Sequence, residues 1–80
     1  MGKLSEQSAF RAIQLTRDPD FVEKLARHGV RGPGLAMNAA FTAMDEEGLI
    51  DPDEIGFTFE EKINFKLLTE IVIRNIEGQS

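Results

Sequence analysis

The residues best suited to chemistry in this sequence are a run of carboxylates in its second half. Residues 45–61 carry eight acidic side chains and no lysine or arginine. The eight are Asp45, Glu46, Glu47, Asp51, Asp53, Glu54, Glu60 and Glu61. Carboxylates at this density either coordinate a hard cation or form a charged face. The chain has one histidine and no cysteine, and no partner base or nucleophile accompanies the carboxylates, so we expect no enzymatic activity.

Part of this run resembles the calcium-binding loop of EF-hand proteins. In "FTAMDEEGLIDPDEI", Asp45 matches the first ligand and Glu47 the third loop position. Ile50 matches the central apolar residue and Glu54 the closing ligand. The EF-hand loop needs twelve residues, whereas Asp45 to Glu54 spans ten, so the fifth-position ligand and the turn-forming glycine are missing. The resemblance implies a degenerate calcium-responsive module, which we keep as an alternative; we predict no metal site and no cofactor.

Helix-end signals account for the same residues without an ion. Gly48 is a suitable stop for one helix, because glycine readily adopts the left-handed conformation after a helix. Asp51 and Pro52 are typical of a helix start, and Glu54 completes a capping box. The triplet "DPD" occurs at 18–20 and again at 51–53. We therefore interpret the stretch as an acidic corner between two helices.

The charge is unevenly distributed along the chain. The formal net charge is −5, with +2 in residues 1–34 and −7 in residues 35–80. This balance disfavours direct binding to a phosphate backbone. Such a run is commonly a solvated face that keeps a protein soluble. It also suits a basic partner, because complementary charge steers association and confers specificity.

The functional prediction follows from the possibility that the acidic run binds a basic partner. We expect a non-enzymatic binding or inhibitory protein whose eight carboxylates engage a basic protein surface. A basic surface often binds nucleic acid, so the acidic protein would act as a DNA or RNA mimic. Small phage-encoded inhibitors of host defence, anti-CRISPR proteins among them, are often of this size and character. The analogy is one of type, since no family motif carries it.

Length and composition predict a single domain over residues 1–80. A chain of 80 residues buries only about 60% of its unfolded surface, so its core is small. No apolar run approaches the roughly 18 residues that span a bilayer. The lack of cysteine fits a reducing compartment, and we expect a cytoplasmic protein.

Capping signals predict an all-α bundle of about four helices. The first covers about residues 5–16, with Ser5 as its N-cap. The second begins at the Asp18-Pro19 pair and ends before Gly29. The third covers about residues 35–45. The second helix is expected to bury Phe21, Val22, Leu25 and Ala26. The third is expected to allow close helix packing through Ala36, Ala39, Ala40 and Ala43.

The fourth helix is the longest. Thr58 and Glu61 have the spacing of a capping box, and the helix is predicted to run to about residue 76. Its apolar residues cover more of its circumference than one buried face needs. The helix is therefore either central or apolar on a second face that another copy of the chain covers, as in a homodimer or a self-assembling subunit. Apolar and polar residues alternate in parts of residues 63–76, so a strand remains a competing prediction for this stretch.

Other patterns have ordinary structural explanations. The glycines of "GVRGPG" could cradle a phosphate before a helix, but we favour an ordinary interhelical turn. The third helix carries no lysine or arginine, which argues against a DNA-recognition helix. His28 falls at the end of the second helix, where a capping or surface role is expected.

Overall fold

The chain folds into a small helical bundle. The computed structural model describes residues 6–50 and 56–78. Those residues form four helices and no strand: α1 (Glu6–Arg17), α2 (Pro19–Ala26), α3 (Pro33–Glu46) and α4 (Phe59–Glu77). The predicted all-α class is confirmed. The competing strand over residues 63–76 is wrong, because that stretch lies inside one continuous helix with no internal glycine or proline to interrupt it.

Most predicted helix ends are found where the structure describes them, but α3 begins at Pro33, two residues before its predicted start at about residue 35. The Asp18 side chain accepts a 3.0 Å hydrogen bond from the Asp20 N–H, with Pro19 at the first helical position. The Thr58–Glu61 capping box closes the start of α4. Gly48 follows α3 with a φ of +73°, a conformation that other residues rarely adopt. The predicted caps at Ser5 and at residues 51–54 lie outside the described residues.

The alanine-rich helix α3 supplies five of the ten buried hydrophobic residues in the described part of the chain. It packs against both α1 and α4, which also contact each other. Its buried residues are Ala36, Ala39, Ala40, Ala43 and Met44. An alanine offers only a methyl group, so neighbouring side chains must reach close to the α3 backbone to exclude water. The prediction that these small residues are packing positions is consistent with their complete burial.

Residues from the other helices complete one hydrophobic core. It includes Ala12 and Leu15 of α1, Leu68 and Val72 of α4, and Ile50 after α3. The predicted buried face of α2 is only half-buried, because α2 packs mainly against α1. None of the helices in the described residues has the length and apolar character needed to cross a lipid bilayer.

Helices α3 and α4 run antiparallel. Gly32 and Pro33, at the start of α3, line one groove together with Ile73 and Ile76 near the end of α4. Near the other end of the pair, the rings of Phe41 and Phe57 have centroids 5.9 Å apart, and Phe57 also contacts Phe65 at 5.8 Å. The C-terminal end of α3 and the N-terminal end of α4 therefore lie at the same end of the bundle.

Enlarging a central alanine tests this packing. We expect Ala40→Leu to lower the free energy of unfolding by about 1–3 kcal/mol, because the added methylenes have no space beside α3. Asn38→Leu is the matched control, since Asn38 is exposed on the same helix and the change should stay within about 0.5 kcal/mol. Urea denaturation of both variants measures the difference, and equal stability of the two would contradict the packing.

Candidate protein-binding site

The antiparallel pairing brings the two parts of the acidic run together. Residues 45–47 lie at the C-terminal end of α3, and residues 60–61 lie in the first turn of α4. We call these five carboxylates the acidic end of the bundle. The other three predicted members, Asp51, Asp53 and Glu54, lie outside the described residues, in the segment that connects the two helices.

One member of the acidic end is neutralised within the molecule. Arg11 of α1 donates to both carboxylate oxygens of Glu46, at 2.8 Å through Nε and 3.1 Å through Nη2. The hydrogen bond from Arg11 holds the pKa of Glu46 below its ordinary value, and the same bond and charge raise the pKa of Arg11. Both side chains remain more than two-fifths exposed, so water screens the pair.

A second carboxylate helps to position α1. The hydroxyl of Ser8, which is fully buried, donates a 2.6 Å hydrogen bond to Oε2 of Glu47. A buried hydroxyl without a partner is costly, so this bond stabilises the contact between the first half of α1 and the end of α3. No local sequence pattern indicates the bonds of Ser8 and Arg11, because these residues lie 39 and 35 positions from their partners.

A third carboxylate is committed to the start of α4. Oε1 of Glu61 accepts the Thr58 N–H at 2.6 Å, and Thr58 Oγ1 accepts the Glu61 N–H at 3.2 Å. The capping box satisfies backbone donors that have no partner inside the helix. Glu46, Glu47 and Glu61 thus serve the fold, whatever else they contact.

The remaining two carboxylates face solvent beside a large aromatic ring. Asp45 and Glu60 are exposed, and neither side chain forms an ion pair or hydrogen bond with another residue of the described ranges. Phe59, adjacent to Glu60 at the first position of α4, is 80% exposed. Phe41 is also exposed at this end, although its ring stacks against Phe57. The acidic end therefore combines free charge with apolar side chains in solvent.

The structure assembles no metal centre from the residues that it describes: no three of their histidine and acidic side chains lie close enough to hold an ion. The second half of the EF-hand-like stretch is outside those residues, so the calcium-responsive alternative stays a prediction. His28 is exposed, with Nδ1 2.9 Å from the carbonyl oxygen of Lys24, in the surface position that the sequence predicts.

Comparisons with protein-family models, with curated proteins and with solved structures gave no match to this chain. A functional proposal for this chain therefore rests on its surface chemistry.

A double-mutant cycle on Arg11 and Glu46 tests the geometry of the acidic end. We expect Arg11→Gln and Glu46→Gln to show a coupling free energy near neutral pH, because either change removes the charge attraction between the two side chains. The cycle cancels other effects of the charge on Glu46, such as its unfavourable position at the end of α3.

The coupling should depend on pH in a defined direction. Since the folded-state pKa of Glu46 is lowered, the pair stabilises the fold above the ordinary carboxyl pKa and loses this effect as the pH falls through the lowered value. Urea denaturation of the four proteins at about pH 7 and about pH 3 measures it. A coupling that is equally large at both pH values would contradict the ion pair.

Proposed function

We propose that this chain is a non-enzymatic, cytoplasmic protein that binds and inhibits a basic partner protein through its acidic end. The main support for this proposal is that carboxylates from two separate segments and the exposed ring of Phe59 lie at one end of the bundle. The proposal also includes Asp51, Asp53 and Glu54, which lie outside the described residues.

Charge at one end of a small protein creates a directional field. Of the described bases, Arg17 at the end of α1 hydrogen-bonds to Asn75 near the end of α4, and Arg74 also lies there. These bases lie at the opposite end of α4 from Glu60 and Glu61, although Glu77 at that end offsets part of their charge. The negative charge of the described residues is therefore concentrated at the acidic end. Such a field orients the molecule during its approach to a basic surface and accelerates association.

Exposed aromatic side chains favour an interaction surface over a merely solubilising one. A solvated face needs charge but not a phenyl ring, and leaving Phe59 in water is unfavourable. Protein interfaces are enriched in aromatic residues at their centre and have a polar rim. Phe59 between Thr58 and Glu60 has this pattern, with Asp45 contributing charge from α3.

The proposed partner is a protein whose basic surface binds nucleic acid. Such a surface is built to accept a row of negative charges, so an acidic end of this kind competes with the phosphate backbone for it. The mode of action would then be that of a nucleic-acid mimic, as in the phage-encoded inhibitors of host defence. Residues 1–80 would act as one domain in this role.

Charge-reversal variants test the proposal. Asp45→Lys with Asp53→Lys should weaken capture of the partner from a lysate of the source cells at least tenfold, because two attractive charges become repulsive. These positions are preferable to Glu46, Glu47 or Glu61, since reversal there would disrupt contacts with Arg11, Ser8 or Thr58. A duplex oligonucleotide should compete with the wild-type protein for the same partner.

The matched control moves the same charge to another helix. Asp20→Lys with Glu23→Lys on α2 also changes the formal net charge from −5 to −1, because each reversal adds two units. Capture should persist with this control, and circular dichroism should show that both double variants fold. Equal capture by both, or no competition by the oligonucleotide, would contradict the proposal.

A further inference from the structure

Helix α4 has a second apolar face that no other helix covers. Leu68 and Val72 are buried against the bundle, whereas Ile63, Leu67 and Ile71 remain 42%, 46% and 37% exposed. These three residues are four apart and so lie along one side of the helix, and the exposed Phe59 extends the row by one step at its N-terminal end. A contiguous apolar stripe on a small protein marks an interaction surface.

A charged residue lies at each end of this stripe. Glu60 precedes Ile63 by three residues, and Arg74 follows Ile71 by three. At 3.6 residues per turn, the five positions fall within a sector of about 80° on the helix. Glu60 and Arg74 are both exposed, and in the described part of the chain neither side chain forms an ion pair. We call these five residues the outer face of α4.

The spacing along the outer face is symmetric. Starting from Glu60, the steps are three, four, four and three residues, with Leu67 at the midpoint. Steps of three and four are those of the seam in a coiled coil. The charges are opposite at the two ends, so reversing the direction of the helix exchanges the acid for the base.

We propose that two copies of this chain pair through the outer face of α4, with the helices antiparallel and the two-fold axis at Leu67. Each Ile63 then lies opposite Ile71 of the second copy, and Leu67 meets its own counterpart. Glu60 of each copy lies opposite Arg74 of the other, so two ion pairs close the ends of the apolar seam. This is the self-complementary contact that a two-fold dimer requires.

The charges of Glu60 and Arg74 favour the antiparallel pair over other ways of covering the apolar stripe. In a parallel pair, Glu60 would oppose Glu60 and Arg74 would oppose Arg74, which is unfavourable at both ends. A shift of one helical turn would remove both ion pairs and leave one end of the stripe in water. An unrelated partner helix would need its own matching acid and base, whereas a second copy supplies both.

The dimer shares only Glu60 with the acidic end, so either proposal can fail without the other. Its seam extends over about 21 Å between Glu60 and Arg74, which is short for a stable interface. We therefore expect association in the micromolar range. The reversals at Asp45 and Asp53 leave the outer face intact and should not affect it.

Two charge reversals test the register directly. Glu60→Lys places two cations opposite each other at each end of the seam, and Arg74→Glu places two anions opposite each other. Each variant should therefore be monomeric at concentrations where the wild type is dimeric. An equimolar mixture of the two variants should form a heterodimer, because all its end pairs are then opposite in charge. The double variant Glu60→Lys/Arg74→Glu should regain the homodimer. Sedimentation equilibrium measures all four samples.

Two further variants separate loss of pairing from loss of folding. Leu67→Lys places two cations at the axis and should abolish the dimer, while circular dichroism shows an unchanged helix content. Glu23→Lys carries the same charge change as Glu60→Lys but lies on α2, and it should leave the dimer intact.

Specific outcomes would overturn the inference. A wild-type protein that stays monomeric at millimolar concentration would do so. So would a dimer that persists in Leu67→Lys, or one in which the mixture and the double variant fail to restore pairing.

Discussion

The burial of the alanine face of α3 is the constraint on which the rest of the structure depends. Ala36, Ala39, Ala40 and Ala43 have no exposed surface, and only close packing of α1 and α4 can achieve this with methyl groups. A helix with small side chains lets a chain of 80 residues exclude water from one continuous core. Helices α3 and α4 run antiparallel beside this face, so α4 starts at the end of the bundle where α3 stops.

That course determines where the charge lies. The acidic run is divided by a helix end and a helix start, so antiparallel pairing places both parts at one end of the bundle. Some of these carboxylates then stabilise the fold: Glu46 binds Arg11, Glu47 binds Ser8, and Glu61 caps α4. Asp45 remains available to a partner, and Glu60 is available either to that partner or to Arg74 of a second copy. Because three of these carboxylates stabilise the fold, replacing them would affect folding as well as binding. Variants that test binding must therefore avoid them.

The sequence was sufficient for the helices and insufficient for their contacts. Asp18-Pro19, Gly48 and the Thr58–Glu61 box are local signals, so they predicted helix ends correctly. Alternation around Phe65 suggested a strand, but the cap and an uninterrupted helical stretch prevailed. The bonds of Ser8 and Arg11 join distant parts of the chain, and no local pattern announces them. The apolar excess of α4 was visible in the sequence, yet only the structure identifies Ile63, Leu67 and Ile71 as its exposed side.

Helices α3 and α4 pair antiparallel around the alanine face. Proton NOE spectroscopy can establish this pairing in solution, because it reports which ends of the two helices are close. We expect cross-peaks from Pro33 to Ile76, together with cross-peaks from the ring of Phe57 to those of Phe41 and Phe65. Cross-peaks from Pro33 to the first turn of α4, with none to Ile76, would contradict it.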